Sequence, residues 1–331
     1  MTRPRAWSRR RLLHATLGAA AIVGPASAQE RPSGDRGMGG TGVLPPETEP
    51  GDRGIGGTGV IGTIRRFGSI VVNGLRITFP RSVRVRIDDR PARLQDLEIG
   101  HVVHVLARHH RGERLATRSI EAFSEVTGPI EAATPDGLTV LGQPVGWAPT
   151  RTGRRLTVGQ WVAVSGLRRL DGTIVASLVA RRPAGRAMVA GIPRLEADGA
   201  VWIGALPIAG LDPTLLGQRL RLDGRVSEGR LVVARARPAF AQILAGHPAE
   251  LSIEDYVALA DGAVQFGSGL TTPATALSVA VTGEERAIVS ATVRQGQIQV
   301  SGIRGEASSA RSAPGGRGPG GPHGPGGRPD G

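Results

Sequence analysis

Short stretches of alternating apolar and polar residues, cut by glycine turns, come back four times along the chain. Each copy has an apolar strand, a glycine turn, a second strand, then a strand anchored by glycine that leads into a closing hairpin. The anchored strands are Gly100-His101-Val102-Val103-His104-Val105, Gly159-Gln160-Trp161-Val162-Ala163-Val164 and Gly217-Gln218-Arg219-Leu220-Arg221-Leu222. Arg286-Ala287-Ile288-Val289-Ser290 is a looser fourth copy. Val83, Val85 and Ile87 alternate with Arg84 and Arg86, a period of two that gives a strand one buried and one wet face. Asn73-Gly74, between Ile70-Val71-Val72 and Leu75-Arg76-Ile77, predicts a type I′ hairpin turn, which needs positive φ at both residues. Leu94 and Leu97 read as one helical turn plugging a module end. Val103, Val105, Val162, Val164, Leu220 and Leu222 are the predicted core.

Repetition of this kind sets the fold. The copies delimit β-modules at residues 61–123, 125–183, 187–238 and 250–304, with residues 239–249 as a linker or short helix with one buried side. A unit of 50–60 residues is marginal alone, and its short strands escape exposed edges by closing on themselves. The expected fold class is therefore all-β: tandem small β-barrels of OB-like size. Residues 305–331 hold almost nothing apolar and are expected to be disordered. The Gly/Pro-rich leader, residues 29–60, is read as a flexible linker.

That leader holds a direct repeat, Gly34 to Val43 echoed by Gly51 to Val60. Both copies match G-x-G-x-x-G. A dinucleotide fingerprint needs a strand before it and a helix after it, and neither copy has that setting. Residues 1–28 read as a signal peptide: Arg3, Arg5, Arg9, Arg10 and Arg11, an apolar run from Leu12 to Val23, then Ala26-Ser27-Ala28 as a cleavage site. Arg9 and Arg10 sit in Ser8-Arg9-Arg10-Arg11-Leu12-Leu13, which resembles the twin-arginine motif, so a periplasmic or secreted location is expected. After cleavage no apolar run approaches the ~20 residues of a membrane span.

Charge and composition narrow the chemistry. All 41 basic residues are arginine, and the net charge is +13. Removing the five arginines of residues 1–28, which hold no acid, leaves +8. Such a surface can attract polyanions, and an arginine-biased codon supply gives the same count. Cysteine is absent, which excludes disulfides, thiol nucleophiles and cysteine metal sites.

His101, His104, His109 and His110 form the one histidine cluster and the weak metal candidate. Strand residues three apart point to opposite faces, so His101 and His104 do not share a metal without a bulge. Alignment of the repeats puts His104 opposite Ala163 and Arg221, on the predicted wet face, and solvated histidine at a strand end is the plainer reading. The acid pairs Asp88-Asp89, Glu254-Asp255 and Glu284-Glu285 are sequence neighbours near turns, which suits surface turn chemistry better than acid–base catalysis. Ser268 lacks the G-x-S-x-G elbow. No catalytic or cofactor-binding residue, and no cofactor, is therefore predicted. Phe67 and Phe79 with Arg65, Arg66, Arg76, Arg84 and Arg86 are thin material for a nucleic-acid platform, and an exported chain meets little nucleic acid.

Gly59-Val60-Ile61-Gly62-Thr63-Ile64, Phe67-Gly68-Ser69-Ile70-Val71-Val72-Asn73-Gly74 and Arg93 through Val103 together resemble the bacterial exported family known as domain of unknown function 5666. The second and third modules look like divergent copies. The resemblance implies a secreted or periplasmic β-module, often in tandem, and brings no activity, ligand or catalytic residue with it. The functional expectation is an exported, non-enzymatic binding or scaffold protein acting on another envelope protein or polymer. The alternatives are an envelope metal or small-ligand carrier using the histidine cluster, and polyanion binding through arginine-rich faces.

Overall fold

Alternation of small aliphatics with polar residues yields strands almost throughout. The structure, a computed structural model, describes residues 57–110, 114–147, 156–274, 281, 283–294 and 297–305. Arg9, Arg10, Ala26 and Ala28, read from the sequence as an export signal, lie outside the described residues, as do most of the leader and nearly all of the tail. The first run of strands is β1 (Thr58–Thr63), β2 (Ile70–Val72), β3 (Leu75–Thr78), β4 (Arg84–Ile87), β5 (Arg90–Ala92), β6 (Val102–His110), β7 (Arg114–Ala116) and β8 (Ser119–Phe123). The second is β9 (Val126–Thr134), β10 (Gly137–Val140), β11 (Gln143–Trp147), β12 (Trp161–Arg168) and β13 (Ile174–Arg181). The third is β14 (Ala187–Gly191), β15 (Arg194–Leu195), β16 (Val201–Ile203), β17 (Leu206–Ala209), β18 (Leu220–Ser227) and β19 (Arg230–Pro238). After the helix α1 (Ala241–Ala245) come β20 (Glu250–Ala260), β21 (Ala263–Phe266), β22 (Thr271–Pro273), β23 (Glu285–Arg294) and β24 (Gln297–Gly305).

One closing pairing scheme organises the first three runs, and the fourth shares its other pairs. In the second, β9 pairs β10, β10 pairs β11, β11 pairs β13 in parallel, β13 pairs β12 and β12 returns to β9, closing a five-stranded barrel. The first run repeats the order β1-β2-β3-β7-β6-β1 and closes through the bridge from Arg66 to Val71. The third does so through β14, continued beyond Ile192-Pro193 by β15. In the fourth, β20 carries β21 and β22 on one side and β23 and β24 on the other. The expected all-β barrel architecture is thus present. Inward-facing Val103, Val105, Val162, Val164, Leu220 and Leu222 are all buried. Asn73 and Gly74 have φ of 55° and 79°, as the hairpin turn requires.

The opening strands also pair across runs. β1 lies parallel to β20, with Thr58 opposite Glu250 and Ile61 opposite Ile253. β9 pairs β14 at Val126–Val189, and the second and third barrels share one continuous apolar core. Ile61, from β1, packs in the core of the fourth run. Asn73 has a second task here: its amide donates to Ile61 O at 2.9 Å and to Ser252 O at 3.0 Å, fastening β1 to β20. Asn73→Gly keeps the turn and removes the fastening. A loss of about 1–2 kcal/mol is expected by urea unfolding, although Gly-Gly is itself a good hairpin turn.

Candidate functional site

Where the barrels meet, polar residues that a lone barrel would show to water are buried against one another. Arg168, at the end of β12, is 8% exposed. It donates to Gln143 Oε1 at 3.0 Å, Gly172 O at 2.7 Å and Ala190 O at 2.7 Å, and pairs with Glu125 at 3.4 Å. Glu125 also holds Arg219 at 2.6 Å, and Arg219 reaches Gly267 O of the fourth run at 3.3 Å. Gln143 donates to Ile203 O at 2.7 Å, linking second and third barrels. Glu254 accepts from Thr63 N at 2.7 Å, Arg65 at 2.6 Å and Arg286 at 2.7 Å. Burial alone would raise its carboxyl, but the two arginines and the Thr63 N–H outweigh that and hold it below the ordinary carboxylate range.

Three sequence expectations change here. Glu254 and Asp255 are not turn-surface acids: they are 4% and 3% exposed, because β20 is clasped between β1 and β23. Burial pushes the Asp255 carboxyl up to about 6, against the opposing pull of the Ser268 hydrogen bond, Arg219 and the Tyr256 N–H. His101 is not a solvated strand end: it is 3% exposed, and its Nδ1 accepts the Glu98 N–H at 2.9 Å. His104 packs edge-on to Phe123 at 4.6 Å between ring centroids and stacks near Phe240 at 6.3 Å. Although part of its surface reaches solvent, its Nδ1 is buried and makes no hydrogen bond. Burial, then Arg221 and Arg219, lower its pKa to about 3. His109 is exposed on β6, and the His110 side chain lies outside the described residues. Among the described residues no three metal-ligating side chains converge.

The neutral His104 and the proton-holding Asp255 act on stability with opposite signs. A histidine whose folded pKa lies below its unfolded 6.5 costs stability as pH falls from about 6.5 to about 3. A carboxyl raised from 3.8 to about 6 gains stability as pH falls from about 6 to 3.8. Between pH 6 and 4 the two nearly cancel. His104→Phe is therefore expected to grow more stable on acidification by about 1.4 kcal/mol per pH unit relative to the parent, and Asp255→Asn to lose about as much. Melting curves at pH 4, 5 and 6 check this; parallel slopes in both variants would refute it.

Beside this junction lies a cleft of about 370 Å³. Its walls are the β4–β5 turn with Asp88 and Asp89, the connector at residues 182–186, and Arg221, Asp223, Arg235 and Arg237 of β18 and β19. Asp88 and Asp89 have φ of 48° and 65°, and their side chains are anchored. Asp88 accepts from Ser124 N at 2.8 Å and Oγ at 2.9 Å. Asp89 holds Arg221 at 2.6 Å and Arg237 at 2.5 Å. Arg221 also covers the Phe123 ring at 3.8 Å, a cation–π contact. Sequence reading missed this cleft, since its arginines come from β5, the connector, β18 and β19. The one local hint was Arg221 set between Leu220 and Leu222.

Among the described residues no helix is long and apolar enough to cross a membrane. No curated protein and no solved structure matches the chain. The sequence resemblance is carried by residues of the first barrel; the family match falls on the second. Residues 127–180, running from β9 to β13, match the family described as "Domain of unknown function (DUF5666)", so the closed second barrel is the part of this chain that is similar to that family.

Proposed function

We propose that this chain is an exported, non-enzymatic binding protein of the cell envelope, whose barrels dock so that ligands are held between them. The observation that carries this is the cleft of about 370 Å³, a volume suited to small ligands, walled by the first and third barrels and the connector between second and third. The charged groups nearest the junction support the reading. Arg168, Glu125, Arg219 and Glu254 are each engaged by other side chains or by backbone groups, which suits a structural part rather than proton transfer. Export is read from residues 1–28. The metal-carrier alternative is weakened by His101 and His104, each committed to its own packing.

The test is sedimentation of the purified exported chain with isolated envelope material. The reading expects saturable, reversible binding and recovery of unchanged material. A product that accumulates with time, and is lost on changing one histidine or aspartate, would replace binding with catalysis.

A further inference from the structure

We propose that the cleft is a binding site for a phosphate ester. This deepens the binding reading and rests on it. Six arginines line the cleft, Arg90, Arg182, Arg186, Arg221, Arg235 and Arg237, against three aspartates. Every aspartate is already engaged: Asp88 by Ser124, Asp89 by Arg221 and Arg237, and Asp223 by Arg186 at 2.8 Å. Arg90, Arg182 and Arg235 remain without a carboxylate partner among the described residues, so the cleft keeps three unbalanced positive charges. They come from β5, the connector and β19, three segments that the fold brings to one opening.

Like charges gathered around a concave space repel, and an anion relieves them. Two buried donors of the lining, Thr127 Oγ1 and Arg221 Nε, make no hydrogen bond among the described residues, and the acceptor Asp223 Oδ2 has only its ion pair with Arg186. The ligand class follows from geometry. A carboxylate presents two oxygens in one plane, whereas a phosphate monoester presents three in a tetrahedral array, open to donors arriving from separate directions. Three spare guanidinium groups on separate segments suit the second. A phosphorylated sugar fits the volume, and so does a phosphorylated end of an envelope polymer.

The experiment is calorimetric titration of the full exported chain with glucose 6-phosphate, with short poly(glycerol phosphate), and with citrate as the carboxylate control. Variants are Arg90→Gln, Arg182→Gln, Arg235→Gln and the triple variant. Among the described residues none of these arginines joins an ion pair, and melting curves verify that each variant is folded. Single-site binding of the phosphate esters is expected, weakened about tenfold by each substitution and abolished in the triple variant. Wild-type affinity should also fall steeply with salt. Tighter binding of the polymer than of the sugar phosphate would assign the site to an envelope polymer, and the reverse to a free phosphoester. Absence of phosphate-ester binding, binding that the triple variant retains, or citrate binding as tight as the esters would overturn the proposal. Such a failure alongside saturable sedimentation with envelope material removes this site and leaves the binding reading standing.

Discussion

Replacing Arg168 by methionine is expected to lower stability by about 3–5 kcal/mol, seen as a shift in the urea midpoint. Methionine fills most of the volume but supplies no donor. Gln143 Oε1, Gly172 O and Ala190 O each lose a bond in a place water cannot freely reach, and Glu125 keeps only Arg219. Leaving buried acceptors unmatched is among the costliest single changes available to a protein. Lysine should rescue little, because a single ammonium cannot span the four acceptors that the guanidinium serves. A loss under about 1 kcal/mol would mean that water already satisfies this junction.

Gly267→Ala should cost about 2–4 kcal/mol for a steric reason. A Cβ at this position would stand 1.8 Å from Arg168 O and 3.2 Å from Asp255 Oδ1. The obstacle is backbone, so no side-chain rotation relieves it. The loop is also pinned, since Gly267 N donates to Tyr256 O at 2.8 Å and Gly267 O accepts from Arg219. Relief requires the fourth run to retreat from the second barrel, which breaks the Arg219 link. The same substitution at Gly172 or Gly229 meets no atom and should act only through their positive φ. A Gly267→Ala protein with the parent's urea midpoint would show that the fourth run is not seated here.

Strand positions were legible because alternation is local. Each inward valine or leucine declares itself by its neighbours, and Asn73-Gly74 declares its turn. The site was not legible for the same reason. Arg219, Arg221, His104 and Glu254 occupy the polar places of the alternation, which in one barrel means solvent. In this fold the outer faces of barrels cover one another, so those places become the junction. The pairing of β1 with β20 joins residues almost two hundred positions apart and leaves no local trace. The repeated Gly-Gly-Thr-Gly-Val of the leader does leave one. Its second copy supplies β1, where a Cβ on Gly59 would come within 2.6 Å of Leu251 Cδ2, so the glycine answers to the neighbouring strand and not to a linker.

Docking also changes what repetition implies. Independent modules would multiply one weak surface and lose affinity stepwise on deletion. Here each barrel caps charges of another: Asp89 of the first run faces Arg221 and Arg237 of the third, and Glu284 of the fourth holds Arg169 of the second at 2.6 Å. Deleting one uncovers ions in the rest. The four runs are therefore expected to unfold as a single cooperative body. Scanning calorimetry of residues 29–331 at neutral pH tests this. One transition is predicted, with calorimetric and van't Hoff enthalpies in agreement. Two or more separated transitions, or a calorimetric enthalpy several times the van't Hoff value, would contradict it.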